Sequence, residues 1–152
     1  MTTEHSGVTD LDVHECWALI RSAEVGRLAV VIGNQPEIFP INFVVDHGSV
    51  VFRTAAGTKL AALSDSERVA FEVDGYAPRD RQAWSVVVKG RANKIRALHE
   101  LFDAHTLPLF PWHAAPKQHF VRIVPDTLTG RRFAVVDPAP TEPPFARRAA
   151  HE

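Results

Sequence analysis

Apolar residues along most of this chain recur with a period of two, in short runs separated by turn residues. GRLAVVI (Gly26–Ile32) ends at Gly33-Asn34, and EIFPINFVV (Glu37–Val45) ends at Asp46-His47-Gly48. SVVFRT (Ser49–Thr54) follows at once. Runs this short, joined by such turns, predict an antiparallel meander. RVAFEVDGY (Arg68–Tyr76) and WSVVVKGRANKI (Trp84–Ile95) predict two more strands. Gly90 marks a bulge or sharp bend inside the second of them. HFVRIV (His119–Val124) predicts a sixth strand, and GRRFAVV (Gly130–Val136) offers a seventh.

Helical spacing is confined to short segments. Leu11, Cys16, Ala18, Leu19 and Ile20 form an apolar stripe over 11–23, with Thr9 or Asp10 as its cap. Thr58–Leu63 and Arg96–Ala104 read as further helices, and Pro108, Pro111 and Pro116 exclude regular structure around Trp112. Residues 1–10 predict a disordered lead-in, and 137–152, rich in proline, a flexible tail. Six or seven strands with few helices predict a mainly β domain over 11–136, a closed or partly closed barrel. Closure removes the exposed edges that a small sheet must otherwise protect.

Composition narrows the function classes. The chain has 152 residues, enough for one domain with a real core, and a net charge of −1. That charge draws it to neither nucleic acid nor anionic lipid. One cysteine, Cys16, excludes an internal disulfide and a cysteine-cluster metal site, and its place in the helical stripe makes it a small core residue. No run of about 18 apolar residues exists for a membrane span, and MTTEHSGVTD has no secretory pattern, so a cytoplasmic location is the default. Eight histidines include no His-Glu-x-x-His pair, and no Gly-x-Ser-x-Gly elbow occurs. No side chain is assigned as catalytic and none as a metal ligand.

The stretch VFRTAAGTKL (Val51–Leu60) carries the densest candidate chemistry. A strand ends at Arg53-Thr54, turns through Gly57, and meets a helix start at Thr58-Lys59. Two cations, two hydroxyls and a helix N-terminus suit an anion such as a phosphate monoester. The same residues also serve turn and capping needs, so both readings stand on the residues alone. Neither a Walker A loop nor a dinucleotide fingerprint is present.

In order, CWALI, VGRLAVV, FPINFVV, VFRTAAGTKL, VAFEVDGY, WSVVVKGRA, Pro111-Trp112 and FVRIVPDTLTGRR resemble the pyridoxamine 5′-phosphate oxidase-like family of FMN-binding split barrels, in its actinobacterial branch. The resemblance spans about residues 11–133. It implies a six-stranded antiparallel split β-barrel that forms a homodimer, with cofactor in the grooves between subunits. By position it implies that Arg53, Thr54, Thr58 and Lys59 hold the FMN phosphate. Pro40, Ile41, Asn42 and Phe43 would flank the ring through backbone groups. Ser85 stands where the oxidases carry a flavin-contacting glutamine, and Trp112 packs on the flavin or on the protein rim. The segment that grips pyridoxamine phosphate in true oxidases has no clear counterpart in TGRRFAVVDPAP. The implied activity is therefore flavin-dependent redox chemistry on a small planar substrate, not pyridoxamine phosphate oxidation. Deazaflavin coenzyme, FAD or haem are the alternative cofactors, and a non-enzymatic cofactor-binding or sensor protein is the alternative role.

Overall fold

A computed structural model of the chain describes residues 4–5, 7–96 and 119–135. The elements in order are β1 (Glu4–His5), β2 (Val8–Asp10), α1 (Val13–Arg21), β3 (Val25–Ile32), β4 (Gln35–Asn42), β5 (Val44–Asp46), β6 (Ser49–Thr54), β7 (Glu67–Ala77), β8 (Gln82–Lys94) and β9 (His119–Ala134). A three-residue 3-10 turn, Leu60–Ala62, lies between β6 and β7. All described strand pairs are antiparallel.

The sheet runs β1-β2-β9-β8-β7-β3-β4, and curls because β9 also pairs with β6. Along one edge β9 meets β6 through residues 119–123 and β2 through 131–133; along the other it meets β8. The inward residues alternate with outward ones along each strand, as a half-buried sheet requires. Leu28, Phe52, Phe71, Val73, Val86, Val88 and Ile123 form the center of the core, and α1 closes it with Cys16 and Ile20. The result is a curled antiparallel half-barrel with one α-helix among the described residues, the mainly β fold that the strand pattern predicts.

Local chemistry explains the turns. Gly33 and Asn34 both have positive φ (56° and 64°), as do His47 and Gly48 (49° and 67°), so both hairpins use type I′ geometry. Gly90 does mark a bulge: the β8–β9 register shifts between Lys89 and Gly90. Pro125 pairs with Gly90 there, where a missing N–H is tolerated.

Several expectations are corrected. The helix begins with Asp12 as its cap, not Thr9 or Asp10. Its side chain accepts from Glu15 N–H at 2.8 Å, and Glu15 returns a bond to Asp12 N–H. Such a capping box satisfies two otherwise orphaned donors. Within the expected lead-in, Glu4–His5 and Val8–Asp10 pair as β1 and β2, so these residues belong to the sheet. The second expected strand divides at Phe43 into β4 and β5. The Phe43 N–H still bonds to Glu24 C=O, the next step of the β3–β4 register, before β5 turns to pair with β6. The sixth and seventh strands are one, because the bulge carries β9 past Pro125. The helix over Arg96–Ala104 and the irregular segment 107–116 lie outside the described residues, as does the tail.

Gly90 offers the sharpest test of this framework. A Cβ placed there meets the Val124 carbonyl and lies 3.0 Å from Pro125 Cα. Backbone cannot swing aside as a side chain can. Gly90→Ala is expected to cost about 2–3 kcal/mol of stability, read by urea unfolding with the β-sheet circular dichroism signal as probe.

Candidate functional site

β4 is an edge strand: among the described residues it has a hydrogen-bonded neighbour, β3, on one side only. Pro36 and Pro40 lie within it and supply no N–H, which suits an edge and would weaken a further ladder. Alternation turns Ile41 into the core, and Phe43 lies buried with its ring 4.8 Å from that of Phe71 at 73°. Pro40 is exposed, so of the four ring-flanking candidates only Pro40 and Asn42 project outward. Asn42 is half-buried, and its Oδ1 is the one buried side-chain N or O atom without a partner among the described residues. Leaving such an acceptor empty costs about 1–3 kcal/mol, so the position favours an incoming donor.

The turn after β6 forms a compact polar knot. Thr58 Oγ1 donates to Ala55 C=O at 2.8 Å and accepts from Ala61 N–H at 3.2 Å. With the Thr58 proton committed, Thr54 Oγ1 donates to Thr58 Oγ1 at 2.8 Å. Gly57 has φ +79°, a conformation that favours glycine at this turn. Lys59 reaches β4, its Nζ 2.8 Å from Glu37 Oε1. The expected helix at Thr58–Leu63 is only the 3-10 turn Leu60–Ala62, too short to carry a useful macrodipole, so that part of the anion argument falls.

The structure brings together Thr54, Thr58 and Lys59 and separates the other candidates. Arg53 leaves β6 on the opposite face from Thr54, with its guanidinium 5.9 Å from the centroid of the Phe120 ring. Ser85 pairs with Asp74 on β7 and Arg131 on β9, three strands from Asn42 in the sheet order. Trp112 lies outside the described residues. Glu37 is the residue that sequence reasoning missed. It stands 22 positions from Lys59 in a run read only as a strand, so no local pattern pairs them.

The outward face of the sheet carries a different chemistry. An open groove of about 470 Å³ is lined by Val31, Pro36, Glu37, Ile38, Arg68 and Lys89, among others. On the same face Arg27 Nη1 bridges two carboxylates, Asp74 at 3.0 Å and Glu72 at 3.4 Å. Glu72 is pushed up to about 7, first by burial and then by the hydrogen bond and charge of Asp74, with Arg27 pulling the other way. Elsewhere Arg122 ties β9 to the β5–β6 turn, with Nη2 3.0 Å from Asp46 Oδ2 and Nη1 2.6 Å from Ser49 Oγ. Burial raises the Asp46 carboxyl, but bonds and charge from His47 and Arg122 outweigh it, so it titrates below its usual range. Cys16 is buried and its thiol raised, chiefly by that burial, as an inert core residue should be.

Over residues 12–132 the chain matches the family described as Pyridoxamine 5′-phosphate oxidase. It is 33% identical over 131 residues to the uncharacterised protein Rv0080 of Mycobacterium tuberculosis, covering 83% of this chain and 86% of that protein. It is similar to a solved structure of the FAD binding protein from Mycobacterium smegmatis, with 40% identity, a TM-score of 0.72, and coverage of 83% and 98%. A Corynebacterium glutamicum structure matches at 41% identity with a TM-score of 0.76, covering 84% and 99%. The chain therefore belongs to the pyridoxamine 5′-phosphate oxidase-like family, and its half-barrel is a split barrel of that type.

Glu72 makes a pH prediction. Its folded value, about 7, lies above the ordinary 4.5, so the folded chain holds this proton more tightly than the unfolded chain. Stability from this group is full below pH 4.5 and is lost as pH rises through 7. Glu72→Gln is expected to match the wild type near pH 4 and to exceed it in stability at pH 8. Chemical unfolding across that range checks it, and an unchanged pH profile in the variant contradicts it.

Proposed function

We propose that the chain binds a flavin nucleotide along the open edge of β4 and uses it in redox chemistry. The observation that carries this is the unpaired, buried Asn42 Oδ1. The uracil-like edge of a flavin presents one N–H donor between two carbonyls, and Asn42 suits that donor. At the other end of the same strand, Lys59 supplies a cation for a phosphate, and Thr54 and Thr58 would donate to it by exchanging their present bonds to Thr58 and Ala55. Glu37 and Asn42 are five residues apart on β4, about 16 Å of strand, and alternation sets their side chains on opposite faces. A flavin ring and ribityl chain that reach both would therefore lie along the open edge rather than on one face. Family membership and the FAD-binding description of the Mycobacterium smegmatis protein support the same reading.

Flavin, when bound, supplies hydride and electron transfer to a small planar substrate. This chain's own residues would hold and orient it: Asn42 at the ring, Thr54, Thr58 and Lys59 at the phosphate, with Ile41 and Phe43 anchoring the end of β4 in the core. The flavin mononucleotide half, common to FMN and FAD, is what these residues recognise. Asn42→Ala is expected to weaken riboflavin, FMN and FAD alike by about tenfold, near 1.4 kcal/mol. Lys59→Ala weakens FMN and FAD while sparing riboflavin. Fluorescence titration reads both; equal losses for all three flavins in the lysine variant contradict the phosphate assignment. NAD(P)H oxidation by the flavin-loaded protein separates an oxidoreductase from a cofactor-binding protein.

We infer that the working form is a homodimer built on the outward sheet face. Of six exposed large hydrophobic side chains among the described residues, five share that face by register: Val31, Ile38, Tyr76, Val124 and Phe133. Charges of both signs lie among them, as a face meeting its own copy needs. Ile38→Lys is expected to shift the protein to a monomer by analytical ultracentrifugation. A dimer unchanged by this substitution points to another face.

A further inference from the structure

Lys59 already has an anion. Its Nζ lies 2.8 Å from Glu37 Oε1, and Glu37 makes no other hydrogen bond or ion pair among the described residues. With this pair intact, the two side chains bring no net charge to the turn. A phosphate approaching Lys59 therefore meets a carboxylate as well. The repulsion scales with the charge that the phosphate carries. A terminal monoester, as in FMN, carries about −1.5 to −2 near neutral pH. In the diphosphate diester of FAD each phosphate carries a single negative charge.

We propose that Glu37 is a specificity-determining residue of this site, one that favours the dinucleotide FAD over the mononucleotide FMN. The inference rests on the flavin reading above. Its geometry is an ion pair held across the gap between an edge strand and the polar turn, where any phosphate must compete. In the β3–β4 register Glu37 pairs with the buried Val30, so its side chain leaves β4 on the core-side face, where Lys59 meets it. Glu37 offsets an attraction to Lys59 that grows with phosphate charge, so a monoester forfeits more of it than a singly charged phosphate of FAD, and riboflavin, which has none, forfeits nothing.

The experiment is an equilibrium titration of riboflavin, FMN and FAD against the wild type, Glu37→Gln and Glu37→Ala, with circular dichroism confirming that each variant is folded. Two variants of different size keep the test open if one fails to fold. The wild type is expected to bind FAD more tightly than FMN. Removing the carboxylate is expected to tighten FMN at least about fivefold and FAD by no more than about twofold, leaving riboflavin unchanged. Equal gains for FMN and FAD overturn the proposal. So does weaker FMN binding in the variants, which would make Glu37 a positioning residue for Lys59. Those two results leave the flavin reading standing. Failure of the wild type to bind any of the three overturns both.

Discussion

β9 has hydrogen-bonded partners along both edges, and the curl of the sheet follows from how they are divided. β8 runs beside it for most of its length, while β6 and then β2 share the opposite edge. A strand serving two partners on one edge cannot stay straight and flat. The bulge at Gly90, opposite Pro125, supplies the bend, and the Arg122 bonds to Asp46 and Ser49 fasten β9 to the β5–β6 turn. Once β9 brings β6 across the core, β4 is left at the far end of the curl, with one edge unpaired among the described residues. Pro36 and Pro40 discourage that edge from zipping to another strand. The split in the barrel, and with it the place for a ligand, is thus a consequence of strand pairing.

The charged groups near this split are arranged as competitors rather than as a free cationic nest. Lys59 is held by Glu37, Thr54 and Thr58 are bonded to each other, and Arg53 lies on the far face of β6 over Phe120. An anion approaching Lys59 meets the carboxylate that already holds it. Asn42 is the contrast: its buried Oδ1 has no partner among the described residues, so it can take a donor without having to release one. The outward face repeats the theme of shared charge, with one guanidinium between Glu72 and Asp74.

Much of this was legible along the chain, for physical reasons. Period-two alternation and positive-φ turn residues marked β3, β4 and β6, and Gly90 announced its bulge. Asn42 entered only through the resemblance, as one of four positions flanking the ring. The rest required the third dimension or a closer reading. Thr58–Leu63 contains good helix formers, yet a segment so short does not recover the cost of nucleating a helix. Pro125-Asp126 looked like a break because only the partner strand reveals a bulge. The separation of Arg53 from Thr54, by contrast, follows from strand alternation itself and was available from sequence. So was Asp12, whose spacing to Glu15 spells a capping box. The Glu37–Lys59 pair was not, because nothing local joins an edge-strand acid to a lysine one turn beyond another strand.

The most direct measurement of the central claim is the backbone amide spectrum of the isotope-labelled protein with and without FAD. If a flavin nucleotide lies along the open edge of β4, the largest shifts fall on Glu37–Asn42 and on Thr54–Lys59, with the Asn42 side-chain amide among them. Shifts centred on β8 and β9, with Asn42 and Lys59 unmoved, would contradict the account.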